Sequence, residues 1–144
     1  MSTEKEFHAG TAPHGRLAGL RILLAEDNEI NQMVVQAMLG VEGPEIVIVG
    51  DGRMAVERVR QDGGDAFDVV LMDIQMPDMD GYEATRLILE FAPDLPVIGQ
   101  TAHAMHETVQ QCLAAGMVAH IAKPIDRHEL IAMIQRHARP RSAR

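Results

Sequence analysis

Five side chains stand out by type and by what precedes them. Glu26 and Asp27 follow the aliphatic run Ile22-Leu23-Leu24-Ala25, Asp73 closes Val69-Val70-Leu71-Met72, Thr101 closes Val97-Ile98-Gly99-Gln100, and Lys123 follows Val118–Ala122 and precedes Pro124. Each therefore stands at the carboxyl end of a short, mainly apolar run. Three carboxylates gathered in one place repel and push a pKa upward. A hard divalent cation relieves that repulsion, and magnesium suits the oxygen ligands, keeping several waters and combining one or two carboxylates with a phosphate. A hydroxyl and an ammonium beside such a centre complete a site for a phosphoryl group. Lys123 is one of only two lysines, the other being Lys5, in a chain that otherwise uses arginine for its cations. Pro124 removes a backbone donor and holds Lys123 extended, and the Lys123–Pro124 bond is one where a cis peptide is accessible.

Asp27 and Asp73 lie 46 residues apart, so this chemistry needs a fold that joins the ends of the runs. The strand candidates Leu20–Glu26, Ile46–Asp51, Phe67–Asp73, Pro96–Thr101 and Val118–Ala122 are short, aliphatic and nearly continuous, as in strands buried on both faces of a parallel sheet. Helical patterns follow at about 29–40, 53–62, 81–91, 105–115 and 126–138. In the first, Ile30, Val34, Ala37 and Met38 recur at helical spacing, and Met33, Met38, Met72 and Met133 read as core fillers. Asp80 and Asp126 are N-cap candidates, the latter with Glu129 three residues on, and Gly116 sits where a helix-ending glycine belongs. Five β-α units with right-handed crossovers predict an α/β fold, a doubly wound, flavodoxin-like (βα)5 sheet ordered 2-1-3-4-5. Its ligand crevice lies at the carboxyl ends of strands 1 and 3, where the winding reverses. Residues 1–17 read as a flexible leader or linker, 18–138 as one folded domain and 139–144 as a basic tail.

Composition excludes several classes. The chain has 144 residues, 47% of them hydrophobic, a net charge of −8 and one cysteine, Cys112. Disorder, a disulfide framework and a cysteine zinc site do not fit. Between residues 17 and 135 there are 19 acidic against seven basic residues, a poor counterion for nucleic-acid backbones. The apolar runs are too short to span a membrane and the amino terminus lacks a signal-peptide core, so a cytoplasmic location is expected. His103 and His106 form no zinc motif with their neighbours, and no glycine-rich turn follows strand 1, which excludes dinucleotide binding.

With these residues in order, the chain resembles the response-regulator receiver domain of two-component signalling. The match is carried by Ile22–Asn28, by Val69–Gly81 with its Met76-Pro77-Asp78-Met79-Asp80-Gly81 loop, by Thr101-Ala102-His103-Ala104 and by Ala122-Lys123-Pro124. The stretch Leu17–Gln32 looks most like receivers of hybrid histidine kinases. The resemblance implies that Asp73 is the phosphoacceptor. It implies that Mg2+ is held by Asp27, Asp73 and the backbone carbonyl of Gln75, with Glu26 acting directly or through water. Thr101, Ala102 and Lys123 would bind the phosphoryl group and switch. His120 takes the place where the family often has Tyr or Phe as switch partner, and Gln75 and His103 would tune dephosphorylation. The implied partner is a histidine kinase or histidine phosphotransfer protein, and the implied responding surface is helix 4, strand 5 and helix 5, with a dimer through it as one possibility. Met105 and Met117 are candidates for an adaptable partner surface there.

Two other functions use similar residues. A haloacid-dehalogenase-type aspartyl phosphatase also combines an Asp nucleophile, magnesium and a lysine, but places a second Asp two residues after the nucleophile, where this chain has Gln75. A non-phosphorylated binding module with the same fold would not need the full pocket.

Overall fold

The computed structural model describes residues 15–103 and 105–139; Ala104 and most of the leader and tail segments lie outside the described residues. Five strands, β1 (Arg21–Ala25), β2 (Glu45–Val49), β3 (Val69–Asp73), β4 (Val97–Thr101) and β5 (Ala119–Ala122), alternate with five helices, α1 (Glu29–Gly40), α2 (Gly52–Asp62), α3 (Gly81–Phe91), α4 (His106–Ala115) and α5 (Arg127–His137). The sheet is wholly parallel and ordered β2-β1-β3-β4-β5, the expected doubly wound arrangement. β3 and β4 at its centre are buried throughout, which is why their sequences are apolar on both faces.

Strand alternation divides the core in two. One cluster, including Leu23, Val70, Met72 and Val97, packs under α2, α3 and α4. The other, including Ile22, Leu24, Leu71, Ile98 and Ile121, packs under α1 and α5 with Val35, Leu39, Leu130 and Ile134. The helix caps follow the sequence signals. Asp80 accepts from the Glu83 N–H and Asp126 from the Glu129 N–H, and Gly116 takes φ +99 to close α4.

The inward face of α1 differs from the expectation. Val35 and Leu39 face the sheet, whereas Ile30, Met33 and Val34 are exposed (70%, 67% and 42%), Ala37 is exposed and Met38 is only half-buried. The helix carries two apolar stripes, and periodicity alone cannot choose between them. Its rotation is set from outside the pattern: Asn28 caps it through the Asn31 N–H, and Gln32 Nε2 donates to the Glu26 carbonyl at 2.7 Å. Met117 is likewise a correction. It is 3% exposed and fills the space left by Gly99, where an added Cβ would lie 2.7 Å from its sulfur.

The ends of the described chain meet the sheet at its amino-terminal edge. Leu17, read as leader, is 1% exposed in the α1/α5 core. Arg139, read as the first tail residue, bonds Asp68 O through its N–H and donates from its guanidinium to the carbonyls of Gly64 and Phe67. Both are anchored because each carries a group that the body needs, an apolar side chain in one case and a carbonyl-satisfying guanidinium in the other.

Glu42 is the joint between these parts. It is 7% exposed and receives Arg16 from the leader side and Arg127 from the start of α5, each at 2.8 Å. The Arg16 side-chain bond, then its backbone N–H, hold the Glu42 carboxyl down to about 2 from a normal 4.5. A carboxylate depressed on folding contributes stability above its unfolded pKa and loses it as pH falls through the folded one. Glu42→Gln is therefore expected to lower Tm at pH 7, with the deficit fading between about pH 4.5 and 2. Thermal unfolding across that range checks it, and a deficit that persists at the acid end would contradict the assignment.

Candidate functional site

The acidic cleft forms at the carboxyl ends of β1 and β3. β1 runs straight into Glu26, whose side chain is wholly buried, and then turns out so that Asp27 is exposed. β3 ends in Asp73, 3% exposed. Because β1 and β3 are direct neighbours, the two ends coincide. One carboxylate oxygen from each of Glu26, Asp27 and Asp73 lies within 4.8 Å of the others. The topology alone brings together groups far apart in sequence.

Among the described residues, one ammonium answers these carboxylates. Lys123, leaving β5 through a cis bond to Pro124, places Nζ 3.4 Å from Glu26 Oε1 and 3.3 Å from Asp73 Oδ2. Glu26 is held further by the Asn28 N–H at 3.1 Å and by Asn31 Nδ2 at 3.4 Å. Asp73 accepts the Gln75 N–H at 3.2 Å. Burial, then the charge of Glu26, push the Asp73 carboxyl up to about 6, against the opposing pull of Lys123. The cluster thus carries more negative charge than its own lysine neutralises, which is the condition that suits a divalent cation.

The surrounding loops set the mouth. After Asp73 the chain passes Ile74 and Met76, both buried, and Gln75, which is exposed. Asp78 adopts φ 68 in the turn, a left-handed conformation that Asp tolerates. Gly81 then starts α3 against the end of β3, where a Cβ would lie 2.4 Å from the Asp73 carbonyl oxygen. No side chain fits there without moving the strand end that carries Asp73. Across the cleft, Thr101 is buried at 3%; its hydroxyl donates to the His103 carbonyl and accepts the His103 N–H, both at 3.0 Å. Ala102 and His103 are exposed, and His120 on β5 is half-buried.

The sequence profile of the response regulator receiver domain matches residues 22–135. The chain belongs to the response regulator receiver domain family. Among its relatives, the sensor protein GacS of Pseudomonas syringae pv. syringae is 40% identical over 119 residues, covering 79% of this chain and 13% of that protein. Hybrid signal transduction histidine kinase L of Dictyostelium discoideum is 36% identical over 124 residues, 83% of this chain and 7% of that protein. The chain therefore spans a small part of the length of these proteins, and the likeness to receivers of hybrid kinases is met. Among solved structures, the receiver domain of sensor histidine kinase PA1611 from Pseudomonas aeruginosa PAO1, with a magnesium ion coordinated in its active-site cleft, is 42% identical with a TM-score of 0.75, covering 83% of this chain and 98% of that one. The receiver of Ssk1 in complex with Ypd1 from Saccharomyces cerevisiae, at 23% identity and TM-score 0.75, shares the fold.

Within this receiver domain, several residues that shape the site were not singled out from sequence. Asn31 and Gln32 hold Glu26 from the first turn of α1. The signal for them is weak: an amide five or six residues beyond a strand-end acid reads equally well as a solvated helix face. Gly81 was already marked in the Met76–Gly81 loop after the N-cap Asp80, and what the sequence does not reveal is its close approach to the Asp73 carbonyl.

Proposed function

We propose that this receiver domain is a phosphoacceptor switch in which Asp73 takes a phosphoryl group from a phosphohistidine. The convergence of Glu26, Asp27 and Asp73 beside Lys123 supports this reading most directly. An Asp73 carboxylate oxygen attacks the phosphorus in line as the phosphorus–nitrogen bond breaks, and the departing imidazole nitrogen keeps the electron pair and takes up a proton. The product is an acyl phosphate. Asp27, Asp73 and the Gln75 carbonyl, with Glu26 directly or through water, would hold Mg2+, which when bound neutralises charge on the phosphoryl oxygens. Lys123 pairs with the transferred group from the other side, so that its contact with Asp73 passes to a phosphoryl oxygen.

Thr101 links the site to the surface. Its hydroxyl is occupied by the His103 backbone, and turning toward a phosphoryl group releases that loop. The expected response is a shift of the α4–β5–α5 face, where Met105, Leu113 and Val118 are exposed, with His120 as the side chain that follows Thr101. Gln75 and His103 flank the water path to the acyl phosphate and set its lifetime. A phosphatase reading lacks a titratable group at Gln75 to serve as acid and base.

The donor is a histidine kinase or histidine phosphotransfer protein, and the exposed Ile30 and Val34 of α1 offer it an apolar landing beside the cleft. Incubation with acetyl phosphate and magnesium is expected to add one phosphoryl group by intact mass. Ile30→Glu with Val34→Glu is expected to slow transfer from the protein donor by roughly tenfold or more, through lost docking, while leaving acetyl phosphate labelling unchanged. Equal slowing of both would show damage to the site rather than to docking.

A further inference from the structure

The corner between β1 and α1 carries two of the three clustered carboxylates, and the sheet does not fix it. The strand register ends at Ala25, paired with Val49 on one side and Met72 on the other. The Glu26 N–H still reaches the Val49 carbonyl at 3.1 Å, but the Glu26 carbonyl lies past the ladder. A side chain answers it: Gln32 Nε2 donates to that oxygen at 2.7 Å.

The Glu26 carbonyl and the Asp27 nitrogen belong to one planar peptide. A bond that pins the carbonyl therefore sets the direction in which the chain leaves buried Glu26 and delivers exposed Asp27. Both residues must send an oxygen to the place where they meet Asp73, within 4.8 Å of one another. The other contacts do a different job. The Asn28 N–H, Asn31 Nδ2 and Lys123 Nζ all go to the Glu26 carboxylate, at 3.1, 3.4 and 3.4 Å. They settle where that side chain points and leave the peptide plane to Gln32. Gln32 reaches from a fixed base, since its own N–H bonds the Asn28 carbonyl at 3.0 Å. Its side-chain bond is not needed to start the helix, because Asn28 already caps α1 through the Asn31 N–H.

We propose that Gln32 is a positioning residue for divalent metal. It is not itself a ligand; it holds the Glu26–Asp27 peptide so that the three carboxylates converge with the spacing that magnesium demands. This role rests on the metal reading of the cleft proposed above. Its signature is selectivity. Magnesium requires near-ideal octahedral geometry at short distances, whereas calcium accepts longer and more variable arrangements. A loosened corner therefore costs magnesium more than calcium. A change in net charge acts on both dications, so the ratio of their affinities reads geometry.

Magnesium chloride and calcium chloride, titrated separately into the 15N-labelled full chain at one fixed pH and read by two-dimensional NMR, test it. Gln32→Met keeps the length of the side chain and removes the donor. It is expected to weaken magnesium binding about tenfold, the low end for losing a group that orients a metal ligand, and calcium binding by less than about threefold. Gln32→Arg is expected to bring the ratio back near that of the unaltered chain, because its Nε–H stands as many bonds from the backbone as Gln Nε2. An unchanged ratio in Gln32→Met, whether both affinities hold or both fall, would overturn the proposal. So would a ratio in Gln32→Arg as low as in Gln32→Met. Should Gln32→Met fail to fold, Gln32→Asn, whose amide is one carbon short of the carbonyl, is expected to lower the ratio, and an unchanged ratio there overturns the proposal alone. An unaltered chain that binds neither ion would remove the metal reading and this role with it, whereas binding with an unmoved ratio removes only the role of Gln32.

Discussion

Asp73→Asn is expected to end covalent phosphoryl uptake and, at the same time, to stabilise the metal-free chain. The loss follows from the nucleophile: a carboxamide has no anionic oxygen to attack phosphorus, while Asn retains an oxygen for the Gln75 N–H that Asp73 now accepts. The gain follows from the raised pKa. Asp73 is moved from 3.8 to about 6 by burial and by Glu26, so its ionised form is worse placed in the folded chain than in the unfolded one. A group raised on folding is most favourable below its unfolded pKa and loses that stability as pH rises through the folded value. The advantage of the Asn variant should therefore be absent near pH 4, grow between about 4 and 6, and level off above that. Its size is on the order of 1–3 kcal/mol, from the free-energy equivalent of a pKa shift. Intact mass after acetyl phosphate treatment reads the first effect, and melts with chelator between pH 4 and 8 read the second. Equal labelling of the variant would sink the phosphoacceptor assignment. A stability difference that ignores pH would sink the electrostatic account of Asp73 and leave the assignment standing.

Chelation of divalent metal is the other change expected to abolish labelling, with magnesium restoring it. Glu26, Asp27 and Asp73 meet with Lys123 as the cation bridging two of them, so bringing an anionic phosphoryl group into the cleft without further positive charge is opposed by like charge. A fall of roughly 100-fold or more in labelling rate is expected, in line with the several kcal/mol that metal ions contribute to phosphoryl charge stabilisation. Affinity should also follow proton competition. With Asp73 half-protonated near pH 6 in the absence of metal, magnesium binding is expected to be nearly flat above about pH 7. It should weaken by up to about tenfold per pH unit well below 6, since a ligating carboxylate must be deprotonated. Calorimetric titration at several pH values measures this. Undiminished labelling in excess chelator would remove magnesium from the reaction, and pH-independent affinity would remove Asp73 from its ligands.

The positions of Glu26, Asp27, Asp73, Thr101 and Lys123 at strand ends were legible because each follows an apolar run, and parallel topology turns strand ends into neighbours. Nothing comparable marks Glu42. Its two arginine partners stand 26 and 85 residues away, and an acid in a loop near a glycine has no pattern of its own. The α1 face was misread for a different reason. Ile30–Val34 and Val35–Leu39 are both apolar pairs four residues apart, and the hydrogen bond from Gln32 that selects between them is tertiary. Met117 reads as surface until Gly99 is known to lie beneath it, because the space that a glycine vacates is visible only once the strands are paired.

Leu17 and Arg139 are both fastened at the edge of the sheet where the strands begin, and the acidic cleft opens where they end. Within the described residues the two ends therefore share one pole while the acidic cleft faces the other. A sensor chip, a bead or a fused protein joined at either residue leaves the cleft looking away from the point of attachment. The unit behaves mechanically as a plug: it can be mounted on its base, at one pin or at two, without the mounting shading the contact it exists to make.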